Sequence, residues 1–247
     1  RRQMALLKEQ RAALIQQAVT RGLNPNVPMK DSGLPWLGEI PAHWEVKRLK
    51  YLSPRQSVGL VINPSTYVIE EGVPFLFGSD VSEGNISIEK VRHISPESNQ
   101  HLKASRLYAG DLVTVRVGYP GVTAVIPPEL DQCNCASILI IRQHKSFHSQ
   151  WLCHSMNSSV GRYQVSLVQY GAAQEQFNVS HAVNFLYPVP PLSEQRQISE
   201  YIDSESAKLE KLRQTYDRQL TLLAEYRAAL IHECVTGQRP VPEPSSQ

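Results

Sequence analysis

Three polar segments of the 247-residue chain carry side chains suited to hydrogen-bonded recognition. One is Gly78-Ser79-Asp80. A second is Val115-Arg116-Val117-Gly118-Tyr119-Pro120-Gly121. The third is the amide-rich run 169–178, with Tyr170, Gln174 and Gln176. Glutamine and asparagine can pair bidentately with an adenine edge, and arginine with guanine. Glycines let a backbone approach a ligand closely. Arg116, Tyr119, Tyr170, Gln174 and Gln176 are therefore the candidates for base-edge contact. Lys47, Arg48, Lys103 and Arg106 are the candidates for phosphate contact, which positions a protein on a duplex without reading it. The same residue types also make ordinary surface loops, and composition alone does not separate the two.

Other chemistries find little support in the chain. The four cysteines include a Cys133-x-Cys135 pair and Cys153 beside His154. Zinc usually takes wider, paired ligand spacings, so buried thiols in a reducing compartment are expected and no metal. The Asp/Asn-Pro-Pro-Tyr/Phe motif of amino-methyltransferases is missing from the sequence. The run 186–192 imitates it but lacks the polar residue before the prolines. There is no glycine-rich dinucleotide-type fingerprint, phosphate-binding P-loop or His-Glu-x-x-His motif. The chain is expected not to be an enzyme and to bind no cofactor directly.

Composition agrees with a folded, uncommitted protein. Hydrophobic residues make up 41% and charged residues 19%, and 25 Lys+Arg against 23 Asp+Glu leave +2. That excludes wholesale disorder and a histone-like polycation. From 45 to 190, twelve basic residues face eleven acidic ones, so any nucleic-acid contact must be made by a local face. No aliphatic run approaches the roughly 20 residues of a membrane span. Charged residues interrupt any signal-peptide core at the start, and a cytoplasmic, nucleoid-associated protein is expected.

The elements that must position these loops show an internal repeat. Residues 6–20 recur at 222–236 with a fixed offset of 216 and ten identities in fifteen positions. The second copy ends a long helix expected over 193–237, with Ser193 as its N-cap and no Pro or Gly up to Thr236. Ile202, Leu209, Tyr216, Leu223 and Leu230 recur every seven residues. Leu212 and Tyr226 fill companion positions, while Glu205, Gln219 and Glu233 interrupt them. Such a seam wants a partner helix, and these seven apolar residues are its candidate interface. A core helix packed on its own domain is the alternative. Residues 1–22 read as the tail of an equivalent helix, 23–44 as a Pro/Gly-broken connector anchored by Trp36 and Trp44, and 238–247 as a disordered tail. Residues 45–192 read as a mixed, mainly β domain. Its strands are expected at 73–77, 86–94, 111–117, 123–126, 136–142 and 185–189, with one helix near 149–160. The fold class is α+β: a mainly β domain between a short N-terminal helix and a long C-terminal coiled-coil-type helix. Because Arg1 falls inside a helical pattern, a fragment cut within a helix is expected.

Four segments in this order resemble the specificity subunit of type I restriction–modification systems. They are Asp31-Ser32-Gly33-Leu34-Pro35-Trp36-Leu37-Gly38-Glu39-Ile40-Pro41-Ala42-His43-Trp44-Glu45-Val46; Ala109-Gly110-Asp111-Leu112-Val113 with Arg116 and glycines 118 and 121; Pro188-Val189-Pro190-Pro191-Leu192-Ser193-Glu194-Gln195; and Leu230-Ile231-His232-Glu233-Cys234-Val235-Thr236-Gly237. The resemblance implies one target recognition domain reading half of a bipartite site in double-stranded DNA. It implies a methyltransferase subunit docked on helix and domain, S-adenosylmethionine held by that partner, and a restriction subunit joined through the complex. It also implies pairing with a second half-subunit, or a homodimer, through the long helix. A stand-alone DNA-modifying enzyme and a protein-binding adaptor are the alternatives.

Overall fold

The computed structural model describes residues 2–170 and 177–240, without the side chain of Tyr170. Two compact units divide it. One comprises 12–202; the other joins 1–11 to 203–247. Helix α1 (Arg2–Arg21) and helix α7 (Leu192–Val235) each contribute to both.

In the unit 12–202 the chain leaves α1 at Gly22, whose φ of +73° suits only glycine comfortably. It then forms the hairpin β1 (Met29–Asp31) and β2 (Glu39–Pro41). The stretch read as a connector thus contributes Ile40 and Trp44 to the core, both fully buried, and Trp36 stacks on Tyr163 at 5.2 Å. β3 (Glu45–Arg48) follows, with the single turn α2 (Leu49–Leu52) and β4 (Gln56–Val58). Short strands β5 (Val68–Ile69), β6 (Val73–Leu76), β7 (Val81–Ser82), β8 (Asn85–Ile86) and β9 (Arg92–Ile94) lead to helix α3 (Pro96–His101). The strand expected at 86–94 is therefore two strands, because 87–91 folds away as a turn. Next come β10 (Leu112–Thr114), β11 (Thr123–Val125), β12 (Asn134–Cys135) and β13 (Leu139–Ile141), then α4 (Ser149–Asn157), α5 (Ser159–Tyr170), α6 (Val179–Ala182) and β14 (Leu186–Val189).

Two four-stranded sheets build the middle. The first runs β11-β10-β13-β4 and is antiparallel; the second runs β12-β6-β9-β5 with one parallel pair. The first sheet is buried on both faces, which explains its unbroken apolar runs. Alternate residues Leu112, Leu139 and Ile141 pack against Trp151, Leu152 and the helices. Val113, Ile140 and Ala124 meet Leu76 and Cys135 on the other side. The helix expected near 149–160 is two helices. Ser158 breaks it, its Oγ accepting the Val160 N–H and donating to the Ser155 carbonyl. Gly161 then passes so close to the Met156 carbonyl that a Cβ would collide with it at 2.1 Å.

α7 starts at Leu192, one residue ahead of the expected N-cap Ser193. Glu194 anchors it instead: its Oε2 lies 2.8 Å from His43 Nε2 and accepts the Trp44 indole N–H at 3.1 Å. Ile198 and Ile202 are fully buried with Ala18, Val19 and Trp44. Ile202 is thus a core residue of the unit 12–202. In the other unit, Leu209 and Tyr216 are half-buried, whereas Leu212, Leu223 and Tyr226 are exposed and Leu230 is half-covered. There Arg213 pairs with Glu210 and Asp217 along the helix surface. Among the described residues no helix is long and apolar enough to cross a membrane.

Candidate nucleic-acid interface

Two of the three loops singled out from the sequence come together beyond one end of β10. Residues 78–83 and the turn 115–122 line a cleft near 510 Å3 whose floor is Val81, Val115 and Val122 and whose rim carries Ser79, Ser82, Val117 and Tyr119. The turn needs its glycines: Gly118 and Gly121 have φ of +84° and +86°, and a Cβ on Gly121 would meet Val165 at 2.7 Å. Tyr119 at its tip is 81% exposed. Asp80 is not a free acid here. Its Oδ2 accepts the Phe77 N–H at 2.8 Å and its Oδ1 accepts the Ser79 hydroxyl. Arg162 of α5 spans the cleft's two walls, pairing with Glu83 and reaching the Pro120 carbonyl at 3.4 Å.

Arg116 is engaged by the chain itself. Its Nε donates to the Phe177 carbonyl at 3.0 Å and its Nη2 to Asn178 Oδ1, while its own carbonyl accepts the Phe177 N–H at 3.2 Å. Three bonds from one residue thereby tie the strand end to the point where the chain returns from 171–176. The side chain of Tyr170, and Gln174 and Gln176, lie outside the described residues.

The phosphate candidates are scattered. Lys47 stands on β3, 2.7 Å from Glu45, whose carboxyl it holds below its ordinary range by hydrogen bonding and charge. Arg48 reaches Asn184 at 3.5 Å. Both lie where β3 pairs with β14, so the stretch 177–186 links them to the Arg116 turn. Lys103 is exposed on a 3-10 turn. Arg106 is half-buried, its Nη2 given to the Asn99 carbonyl at 2.7 Å, so its guanidinium already serves the fold.

Sequence reasoning missed the polar network at the other end of the same strands. Asp111 is buried and satisfied on both oxygens: Oδ2 accepts from Arg142 Nη1 at 2.6 Å and from the Tyr108 N–H, and Oδ1 from the Gln143 N–H. Arg142 also donates to the carbonyls of Arg106 and Ala104. The pairing spans 31 residues, and no local pattern announces it. The three domain cysteines are buried, and burial pushes the Cys133 thiol up to about 12 and Cys135 well above its usual value. No group of three or more His, Cys, Asp or Glu among the described residues could hold a metal ion.

No protein-family model matches the chain. Individual proteins do. It is 25% identical over 215 residues to the type I restriction enzyme EcoKI specificity subunit of Escherichia coli K12, covering 81% of this chain and 44% of that protein. It is 22% identical over 210 residues to a putative type I restriction enzyme MjaX specificity subunit of Methanocaldococcus jannaschii, covering 81% of this chain and 47% of that one. The HsdS subunit of Thermoanaerobacter tengcongensis superposes with a TM-score of 0.60 at 20% identity, over 94% of this chain and 52% of its own. A chain from a solved type I R-M system gives 0.61 at 19% identity. The chain spans about half the length of the curated relatives it matches.

Proposed function

This chain is similar in sequence and fold to one half of a type I restriction–modification specificity subunit, and we propose that it works as such a half: a non-catalytic DNA-targeting subunit. One observation carries the reading. The order helix, mainly β domain, long helix is matched by HsdS over 94% of the chain, and the four sequence segments that resemble the family lie in that same order. The domain reads one half of a bipartite duplex site. Lys and Arg contacts to phosphates set its register, and the Arg116–Gly121 turn with the amide-rich 169–178 run reads bases. In this role Arg116 holds the reading segment in place, and Tyr119 is the exposed contact.

The long helix serves assembly. The internal repeat supports this, because the same sequence stands in two environments. Val19 of the first copy is 1% exposed, and its equivalent Val235 is 81% exposed. Leu223, Tyr226 and Ile231 are also open. A second half-subunit covers this stretch, two identical domains then reading inverted half-sites. The methyltransferase subunit docks on the remaining helix face and the domain, carries S-adenosylmethionine, and links the restriction subunit into the complex. The setting is the cytoplasm, at the nucleoid. Co-expression with a type I methyltransferase subunit, purification of the complex and sequencing of methylated sites tests the proposal. A bipartite site that appears only when this chain is present supports it. Methylation or nicking by the purified chain alone would favour a stand-alone enzyme.

A further inference from the structure

At the end of the first sheet opposite the Arg116 turn, two adjoining cavities near 630 and 440 Å3 share Gln143 and His144 and form one groove. The register fixes this placement: Leu112 at the start of β10 pairs with Ile141, and Ile141 with Gln56. Asp111, Arg142 and Arg55 therefore sit at one sheet end, and Arg116 lies beyond the other. The groove carries Arg55 and Arg142 on one side and Lys145 and Arg196 on the other, the last from the first turns of α7.

Its charge is one-sided. The single acid lining it, Asp111, is spent on Arg142 and two backbone N–H groups. Arg55, Lys145 and Arg196 are exposed, and none of them is in an ion pair among the described residues. Between these cations the lining is mixed: Pro54, Tyr108 and Leu192 offer apolar surface among neutral polar groups such as Ser53, Gln143 and Ser149. The walls are held in place beforehand. Arg142 pins 104, 106 and 111 together, and buried Gln195 accepts the His148 N–H at 2.7 Å while donating to the Pro190 carbonyl.

We propose that this groove binds an acidic, apolar-bearing peptide segment of a partner protein, laid between Arg55 and Arg196. Charge complementarity selects an anion. The exposed apolar surface of Tyr108 and Leu192 favours a peptide over a nucleic-acid backbone, because phosphates gain nothing from it. A concave groove also admits a single extended or helical segment, whereas a duplex needs an open face. The proposal does not depend on DNA reading, since it uses no residue of the turn cleft.

The test uses the full chain and a fluorescein-labelled twelve-residue peptide alternating Glu and Leu, followed by anisotropy, with a Gln/Leu peptide and a random duplex as comparisons. The Glu peptide should bind more tightly than the Gln peptide. The triple variant Arg55→Gln, Lys145→Gln, Arg196→Gln should weaken it about tenfold or more, the combined effect of three partly exposed charge pairs. Lys90→Gln, at an exposed turn position between β8 and β9 that lines neither cavity, should leave it unchanged. A melting temperature equal to that of the parent shows that the triple variant is folded; if it is not, the three single variants, each with a smaller loss, replace it. Equal binding of the two peptides, or full binding by the folded triple variant, would overturn the proposal. So would a duplex that displaces the peptide and itself depends on the three cations, since the groove would then be a backbone track. DNA reading by the assembled complex is scored separately, so failure of the groove and failure of the DNA-targeting reading remain distinguishable.

Discussion

Replacing Asp111 by alanine should be among the most damaging single changes to the unit 12–202. The carboxylate is 3% exposed and accepts from Arg142 Nη1 at 2.6 Å, from the Tyr108 N–H at 3.0 Å and from the Gln143 N–H at 2.9 Å. Its loss leaves a largely covered guanidinium with only carbonyl partners and orphans two N–H groups. Breaking a buried pair by removing one member costs about 3–5 kcal/mol. An orphaned buried donor alone costs about 1–3 kcal/mol. The effects overlap at one site, so the sum is held to about 3–5 kcal/mol. For a unit of this size that is a fall of about 6–20 °C in Tm. All three tryptophans, Trp36, Trp44 and Trp151, lie in this unit, so denaturant unfolding followed by tryptophan fluorescence reports on it and not on the distal helix. Asp111→Asn keeps one acceptor and should lose about half as much. A loss below about 1 kcal/mol for Asp111→Ala would refute the reasoning and mean that water or a rearranged loop satisfies these groups.

Three further outcomes follow from the geometry. Arg116→Ala removes two side-chain bonds to 177–178 and should lower affinity for all duplex sequences alike; a loss confined to one base pair in a methylation-site profile would place its guanidinium on a base. Leu223→Glu changes an exposed position and should move Tm by less than about 0.5 kcal/mol equivalent while abolishing helix-mediated association in sedimentation; unchanged association would remove Leu223 from the seam. The half-buried Cys234 should react rapidly with a maleimide at neutral pH, and Cys133, Cys135 and Cys153 only on unfolding, because they are buried and the Cys133 thiol is pushed up to about 12; fast reaction of more than one thiol would contradict the burial.

Periodicity exposed the long helix to within two residues at each end, and β-rich runs between turn signals exposed β6, β10, β11 and β14, because one strong local signal dominated each. Local signals failed where structure depends on distant partners. Ser193 has the right residue type for an N-cap, yet Glu194 takes the anchoring role through His43 and Trp44, some 150 residues away. Residues 23–44 read as a linker anchored by its tryptophans; Trp44 is buried as that requires, but the prolines hid the β1–β2 hairpin and the core residue Ile40. Ile202 fits a seven-residue seam and is nevertheless buried in the domain, since a seam and a core face share one periodicity until the partner is known. Among the site candidates, the glycines flanking Tyr119 marked an exposed turn, which the structure contains. It did not show that Arg116 is held by the chain 61 residues later, nor that Arg106 is folded inward onto Asn99.

The central claim is that this chain chooses the DNA and leaves the chemistry to a partner. Long-read sequencing of methylated adenines, in cells carrying a type I methyltransferase subunit with and without this chain, tests it most directly. The account predicts a split site methylated only when both are present, and lost with Leu223→Glu. Methylation that ignores the presence of this chain, or that it performs purified and alone, would contradict the account.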